Sequence, residues 1–255
     1  FGIPGGGSEM ASVHTVLIFF AFVSISSVLA GCDGVPMPGD AGPPAAARAD
    51  TVVDAPGAGS GPFRDPRRAV DGVRGGGLGA GSLDVYSVDY GTHLVLSWGG
   101  RRVLDGPGVD LVVFENPFHY GDGLTFMDPA IVEVSVDGQE WVALPHAYAA
   151  EDPSAYSARA ADWRGFAGIT PVTLHEEEHP VDPFDADAAG GDGFDLATLP
   201  DEGEGARVRR EGFELVRIRA AYDDVDPRTG ARYPRDPAAN GPDIDGVYAR
   251  YVSAW

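Results

Sequence analysis

Lysine is absent from the 255-residue chain. All 18 basic residues are arginines, set against 39 acids for a net charge of −21. So little positive charge excludes recognition of a phosphate backbone, which needs a basic patch or stripe. It suits solubility, cation binding or a surface facing an ionic medium. Cysteine is almost missing as well. The one thiol, Cys32, has no partner for an internal disulfide, so the fold does not depend on bridges. Long apolar runs are missing too: Val16–Leu29 (VLIFFAFVSISSVL) is too short to cross a bilayer comfortably and has the size of a signal-peptide core. Nor is there a Gly-x-Ser-x-Gly elbow, a phosphate-binding loop or a reactive cysteine beyond Cys32. No two particular acids stand out as a catalytic pair, and the chain is expected not to be an enzyme.

The apolar run ends in Leu29-Ala30-Gly31-Cys32, which looks like a bacterial lipobox. Small residues there admit the signal peptidase, and Cys32 is the expected lipidation site. Residues 1–31 are then upstream residues and a lipoprotein signal peptide. Residues 32–62 are rich in Pro, Gly and Ala and poor in large apolar side chains, the composition of a flexible tether. Residues 63–255 are long enough for one domain with its own core. The expected location is the bacterial cell envelope, exported and lipid-anchored at the outer membrane or cell surface.

After residue 63 there is no sustained 3.6-residue periodicity. Short alternating or apolar runs are divided by Gly, Pro, Asp and Asn, the pattern of an all-β sandwich. Strands are expected at Ser82–Tyr90, His93–Trp98, Asp110–Glu115, Ile131–Val136, Glu140–Leu144, Phe213–Ala220 and Gly246–Val252. Asp137-Gly138 suits a tight hairpin that pairs the fourth with the fifth. Leu215, Val216 and Ile218 alternate with Arg217 and Arg219, as on a strand with one wet face. Between Tyr148 and Arg210 strand signals fade into a long irregular section, with a short helix expected at Tyr156–Trp163.

Several segments, in this order, resemble a family of bacterial cell-surface proteins and lipoproteins that look like discoidin or galactose-binding jelly rolls. They are GSLDVYSVDYGTHLVLSW, DGPGVDLVVFENPF, DPAIVEVSVDGQEWVALP, AGITPV, GGDGFDL and GPDIDGVYARYV. The resemblance implies a jelly-roll β-sandwich with long irregular loops, an extracytoplasmic location and a binding or adhesive role.

Three kinds of site deserve weighing. First, His175-Glu176-x-x-His179 has the spacing of a zinc hydrolase, in which a helix presents both imidazoles to one metal. Pro171 and Pro180 bracket it, and Pro180 disfavours α geometry at His179, so a solvated acidic loop is the better reading. Second, calcium takes six to eight oxygens from irregular loops and is the expected cofactor, if any. Its expected ligands are Asp110, Glu115, Asn116, Asp243 and Asp245, which bracket two strands that a jelly roll can bring to one rim. Asp192 with Asp195, and Asp223, Asp224 and Asp226, are further clusters. The competing reading is turn chemistry or Asp–Arg pairing. Third, rings exposed in the long loop would stack on a sugar, and Tyr156, Trp163 and Phe166 are the candidates against the usual burial of aromatics. The sequence thus points to a non-catalytic surface-binding module, calcium-stabilised, that recognises a glycan or another envelope ligand. A structural or adhesive envelope protein without a small ligand is the alternative.

Overall fold

The computed structural model describes residues 45–254 together with Gly2. Cys32 and the expected signal segment lie outside the described residues. No described helix is long and apolar enough to cross a membrane.

Fifteen strands occur among the described residues: β1 (Ala45–Arg48), β2 (Thr51–Asp54), β3 (Tyr86–Ser87), β4 (Leu94–Ser97), β5 (Leu111–Phe114), β6 (Phe118–Gly121), β7 (Leu124–Phe126), β8 (Ala130–Ser135), β9 (Val142–Ala143), β10 (Ala147–Tyr148), β11 (Trp163–Arg164), β12 (Asp192–Phe194), β13 (Leu215–Ala220), β14 (Asp243–Ile244) and β15 (Gly246–Val252). Two helices join them, α1 (Ala186–Ala189) and α2 (Gly203–Glu211). All strand pairs are antiparallel. One sheet runs β1-β15-β5-β12 and another β2-β4-β13-β8-β9, with three two-stranded ribbons besides. The chain is all-β, as its patterning indicates.

Period-two side chains explain the layering. On β5, Leu111 and Val113 point into the core shared with Leu94, Leu96, Val132, Val134, Val216, Ile218 and Val247, which come from both large sheets. Val112 and Phe114 point the other way, into a smaller cluster with Val73, Val172 and Leu174. Both faces of β5 are therefore covered, which is why LVVF carries no polar residue. On β13 the expected alternation holds: Val216 and Ile218 are inside, and Arg217 and Arg219 face outward across from Glu133 of β8.

The tether expected over residues 32–62 does not extend through 45–54. β1 pairs with β15 and β2 pairs with β4, so this stretch supplies an edge strand to each large sheet. Ala47, Val52 and Ala55 pack on the core, Ala49 is fully buried, and the carbonyl of Ala47 accepts from Trp98 Nε1 at 3.0 Å. Small residues suffice at an edge where the backbone ladder supplies most of the contact, so composition alone misjudges the segment.

β8 and β9 pair as expected around Gly138, whose φ of 80° requires a residue free of a Cβ clash. The expected strands Ser82–Tyr90 and Glu140–Leu144 contract to the two-residue β3 and β9. At Tyr156–Trp163 only a 3-10 turn forms, at Ala160–Asp162. α2 was not apparent in the sequence. Its glycine-rich start, Gly203 to Gly205, hides a helix that begins where Gly205 meets the Pro200 carbonyl too closely for any Cβ.

Candidate functional site

The two ends of β5 decide where acids can meet. Asp110 precedes the strand and Glu115 follows it. Five residues at about 3.3 Å each set the two roughly 16 Å apart. The five expected calcium ligands therefore do not share one site. Asp110 lies at one end, Glu115, Asn116 and Asp243 gather at the other, and Asp245 faces elsewhere.

At the far end of β5, Glu115 is 3% exposed. Its Oε1 accepts from the Asp243 backbone N–H at 2.8 Å, while Oε2 is buried without a hydrogen-bond partner. Asp128 and Asp243 are its charged neighbours. Burial, then repulsion from these two, holds the Glu115 carboxyl well above the usual range; the N–H groups of Asp243 and Asn116 oppose this less strongly. Asp128 is pushed up to about 7 by burial first and by Asp243 and Asp236 next. Asp243 is also raised by burial, against hydrogen bonds from Ser87 and Asn116 and the charge of Arg64. Arg64 is the one cation among the main electrostatic neighbours of the three acids, and it is already paired with Asp89. A cavity of about 10 Å³ adjoins Asp128, lined also by Tyr90, Tyr222, Arg235 and Pro242. Asp128 has no prominence in the sequence, because an Asp before Pro looks like an ordinary turn.

Asn116 clamps the opposite loop, accepting from Ser82 N–H and donating to the Ser82 carbonyl at 2.9 Å. Gly81 is pressed so close that an added Cβ would lie 2.6 Å from Asn116 Oδ1.

At the near end of β5, Asp105, Asp110 and Asp195 are the one group among the described residues with three ligand atoms mutually within 4.8 Å. Their oxygens have work already. Asp110 accepts from Gly106 N–H (2.9 Å) and Leu196 N–H (2.8 Å), Asp195 caps Ala197 (2.8 Å), and Asp105 faces Arg209 at 3.9 Å. Asp245 accepts from Arg74 N–H with both oxygens at 3.0 Å. The other expected clusters are divided in the same way. Buried Asp192 accepts from Ile169 N–H at 3.0 Å, Asp223 from Gly91 N–H at 2.6 Å, Asp224 pairs with Arg219, and Asp226 pairs with Arg228. Turn chemistry and Asp–Arg pairing account for these acids.

Of the three aromatic candidates two are buried and the third, Tyr156, is half-buried. Trp163 is fully buried and Phe166 is 1% exposed; Tyr156 packs against them in a cluster with Tyr148, Met127, Ile131 and Tyr233. The rings meet at centroid distances of 4.1 Å for Tyr148–Trp163 and 5.2 Å for Trp163–Phe166. Their polar ends are satisfied inside, Trp163 Nε1 on the Ser157 carbonyl and the Tyr156 hydroxyl on the Met127 carbonyl. The sugar-stacking expectation is corrected: these rings are the core that orders the long irregular section.

The His175–His179 segment is a tight turn closed by reciprocal backbone hydrogen bonds between the two histidines, not a helix. His175 Nδ1 accepts from the N–H groups of Glu177 and Glu178 at 3.3 and 3.1 Å. Glu176 turns inward. It takes two hydrogen bonds from Arg48 (2.8 and 2.7 Å), one from Val73 N–H (2.9 Å) and one from the Tyr248 hydroxyl (2.9 Å). Burial alone would raise its carboxyl, but these donors together hold it below the ordinary glutamate value.

The surface offers a cleft of about 240 Å³ where several loops converge. Leu78, Ile169, Pro171 and Ala186 form its apolar lining, and His119, Thr170, Thr173 and Asp187 its polar one. His119 is fixed by Thr125 Oγ1 at 3.1 Å across the β6–β7 ribbon. Asp192 holds the Ile169 side of the cleft through its N–H. Comparison with known proteins gives no match: no family profile, curated protein or solved structure is similar to this chain.

Proposed function

We propose that this chain is a bacterial envelope lipoprotein, anchored through Cys32, whose folded part is a non-catalytic binding module. Its two antiparallel sheets on a shared core are read as a jelly roll of the discoidin or galactose-binding type. The observation that carries the binding role is the cleft beside β6. It pairs an apolar floor with a few polar side chains on fixed backbone, the composition of a site for a small polar ligand. Its size suits one or two sugar rings of a glycan better than a peptide.

A glycan array probed with the folded domain tests this. Hits that vanish in His119→Ala and Asp187→Ala, with melting temperatures unchanged, support the cleft as the site. No hits, together with clean capture of one envelope protein, would instead favour an adhesive protein without a small ligand. Labelling with a fatty-acid analogue that is lost in Cys32→Ala tests the anchor separately.

A further inference from the structure

The far end of β5 poses a problem that the binding cleft does not solve. Carboxylates enclosed together are stable only when a base, a proton or a metal neutralises them, since a lone buried charge is very costly. Here no arginine reaches Glu115 or Asp128 among their main neighbours. The Glu115 Oε2 atom is the sharpest sign: it is buried, has no hydrogen-bond partner, and faces Gly168 together with the Asp128 carbonyl. Both oxygens sit about 3 Å from where a Cβ on Gly168 would project (3.1 and 2.9 Å), so glycine with its φ of 78° is the residue that leaves them room.

From this juxtaposition we infer that Glu115, Asp128 and Asp243 form an internal site for a hard divalent cation of the calcium class. All the donors are oxygens, the set calcium prefers and zinc does not. Their ligand atoms do not all lie within 4.8 Å of one another as those of the Asp105 group do, so binding requires the three carboxylates to close on the ion. The cavity at Asp128 gives the approach, under a lid in which Arg235 stacks on Tyr90 (4.8 Å) and Tyr222 (4.9 Å). Asp105, Asp110 and Asp195 lie closer together, but none of them leaves a buried oxygen without a hydrogen-bond partner as Glu115 does.

Terbium reports on such a site by emission sensitised through a nearby tyrosine, and Tyr90 Oη lies 3.4 Å from Asp128. The experiment uses the full chain, stripped of metal with a chelator, then titrated with terbium and with calcium. Expected for the parent protein are tyrosine-sensitised emission that calcium displaces and a melting temperature that rises in millimolar calcium. Glu115→Gln and Asp128→Asn each weaken terbium binding at least tenfold; Asp105→Asn leaves it unchanged. The glutamine variant also separates the main rival, a protonated Glu115 donating to the Asp128 carbonyl. An amide replaces that donor without loss, so a variant that melts like the parent while the parent shows no emission and no calcium shift overturns the inference. Parent-like terbium binding in Glu115→Gln, or its loss in Asp105→Asn, overturns it as well. If Glu115→Gln fails to fold, Asp128→Asn decides on the same readout.

Discussion

Replacing Glu176 by alanine should destabilise the domain by about 3 kcal/mol, although the residue sits in an acidic surface turn. The magnitude follows from what it holds. Its carboxylate takes four hydrogen bonds from three partners: Arg48 on β1, the Val73 backbone and Tyr248 on β15. A hydrogen bond involving a charged group is worth about 1.5–3 kcal/mol, and such values do not add within one network. Glu176 and Arg48 are 29% and 27% exposed, so water rescues part of the loss. Removing the acceptor still leaves a guanidinium, an amide and a phenol competing for little solvent. Glutamine keeps the shape but gives up the charge, and about 1–2 kcal/mol is expected for it. Urea denaturation at pH 7 measures both variants. The acid side provides a second check. Because the folded pKa of Glu176 lies below its unfolded value, its stabilisation is present above about pH 4.5 and fades as pH falls through the lowered value. The gap between parent and alanine variant should therefore narrow at low pH. An alanine variant within about 0.5 kcal/mol of the parent at pH 7, the usual scatter of surface substitutions, would refute the latch.

Two further outcomes are expected. Burial chiefly lifts Asp110 and Asp192 to about 6 each in the folded state, so the fold binds their protons more tightly than the unfolded chain does. Their favourable contribution is complete below about pH 4 and is lost as pH rises through 6, by at most about 3 kcal/mol each. The urea midpoint of metal-free protein should then be lower at pH 8 than at pH 5, and Asp192→Asn should flatten that slope; a midpoint that climbs with pH would be wrong for this reasoning. Second, a chain starting at Phe63 loses β1 and β2, the bond to Trp98 and an edge of each large sheet. Its melting temperature should drop by more than about 10 °C relative to a chain starting at Ala45, and equal melts would mean that the two strands add nothing.

The strands with strong apolar patterning were legible in the sequence, because burial there follows chemistry at period two. β4, β5, β8, β13 and β15 fall within a residue or two of where Leu, Val and Ile indicate. β1 and β2 were not legible, since an edge strand of Ala, Thr and Val is stabilised by its ladder rather than by its side chains. The acids misled for a geometric reason. Asp110 and Glu115 bracket a strand, and flanking residues stand at opposite ends, so they could not meet. Asp243 reaches Glu115 only because β14 crosses to β3 before β15 turns back along β5. Nothing local in the sequence states that crossing. Trp163 and Phe166 misled in the other direction: a loop without strand signal was equated with exposure, yet its rings form a second core.

The role of the surplus acid follows from these contacts. Loops without ladder partners leave backbone N–H groups that must find acceptors once buried. Here carboxylates supply many of them. Asp110 gathers the turns at 106 and 196, Asp192 the one at 169, Asp245 the one at 74, Glu176 the one at 73, and Glu204 accepts from Val136 at 2.9 Å. Arginine does not replace them, because it only donates; it pairs with acids nearer the surface, as Arg217 and Arg219 do around Glu133. Acid-anchored loops of this kind explain how the section from 148 to 210 keeps a fixed shape with little regular structure. Against that pattern Glu115 and Glu204 stand apart, each with one buried oxygen that has no hydrogen-bond partner. Arg207 stands 3.5 Å from the leftover oxygen of Glu204, whereas Glu115 anchors Asp243 with one oxygen and has no arginine among its main neighbours. A buried acceptor left over in a structure that uses carboxylates so consistently is balanced by a proton or by a cation, and the terbium titration tells the two apart.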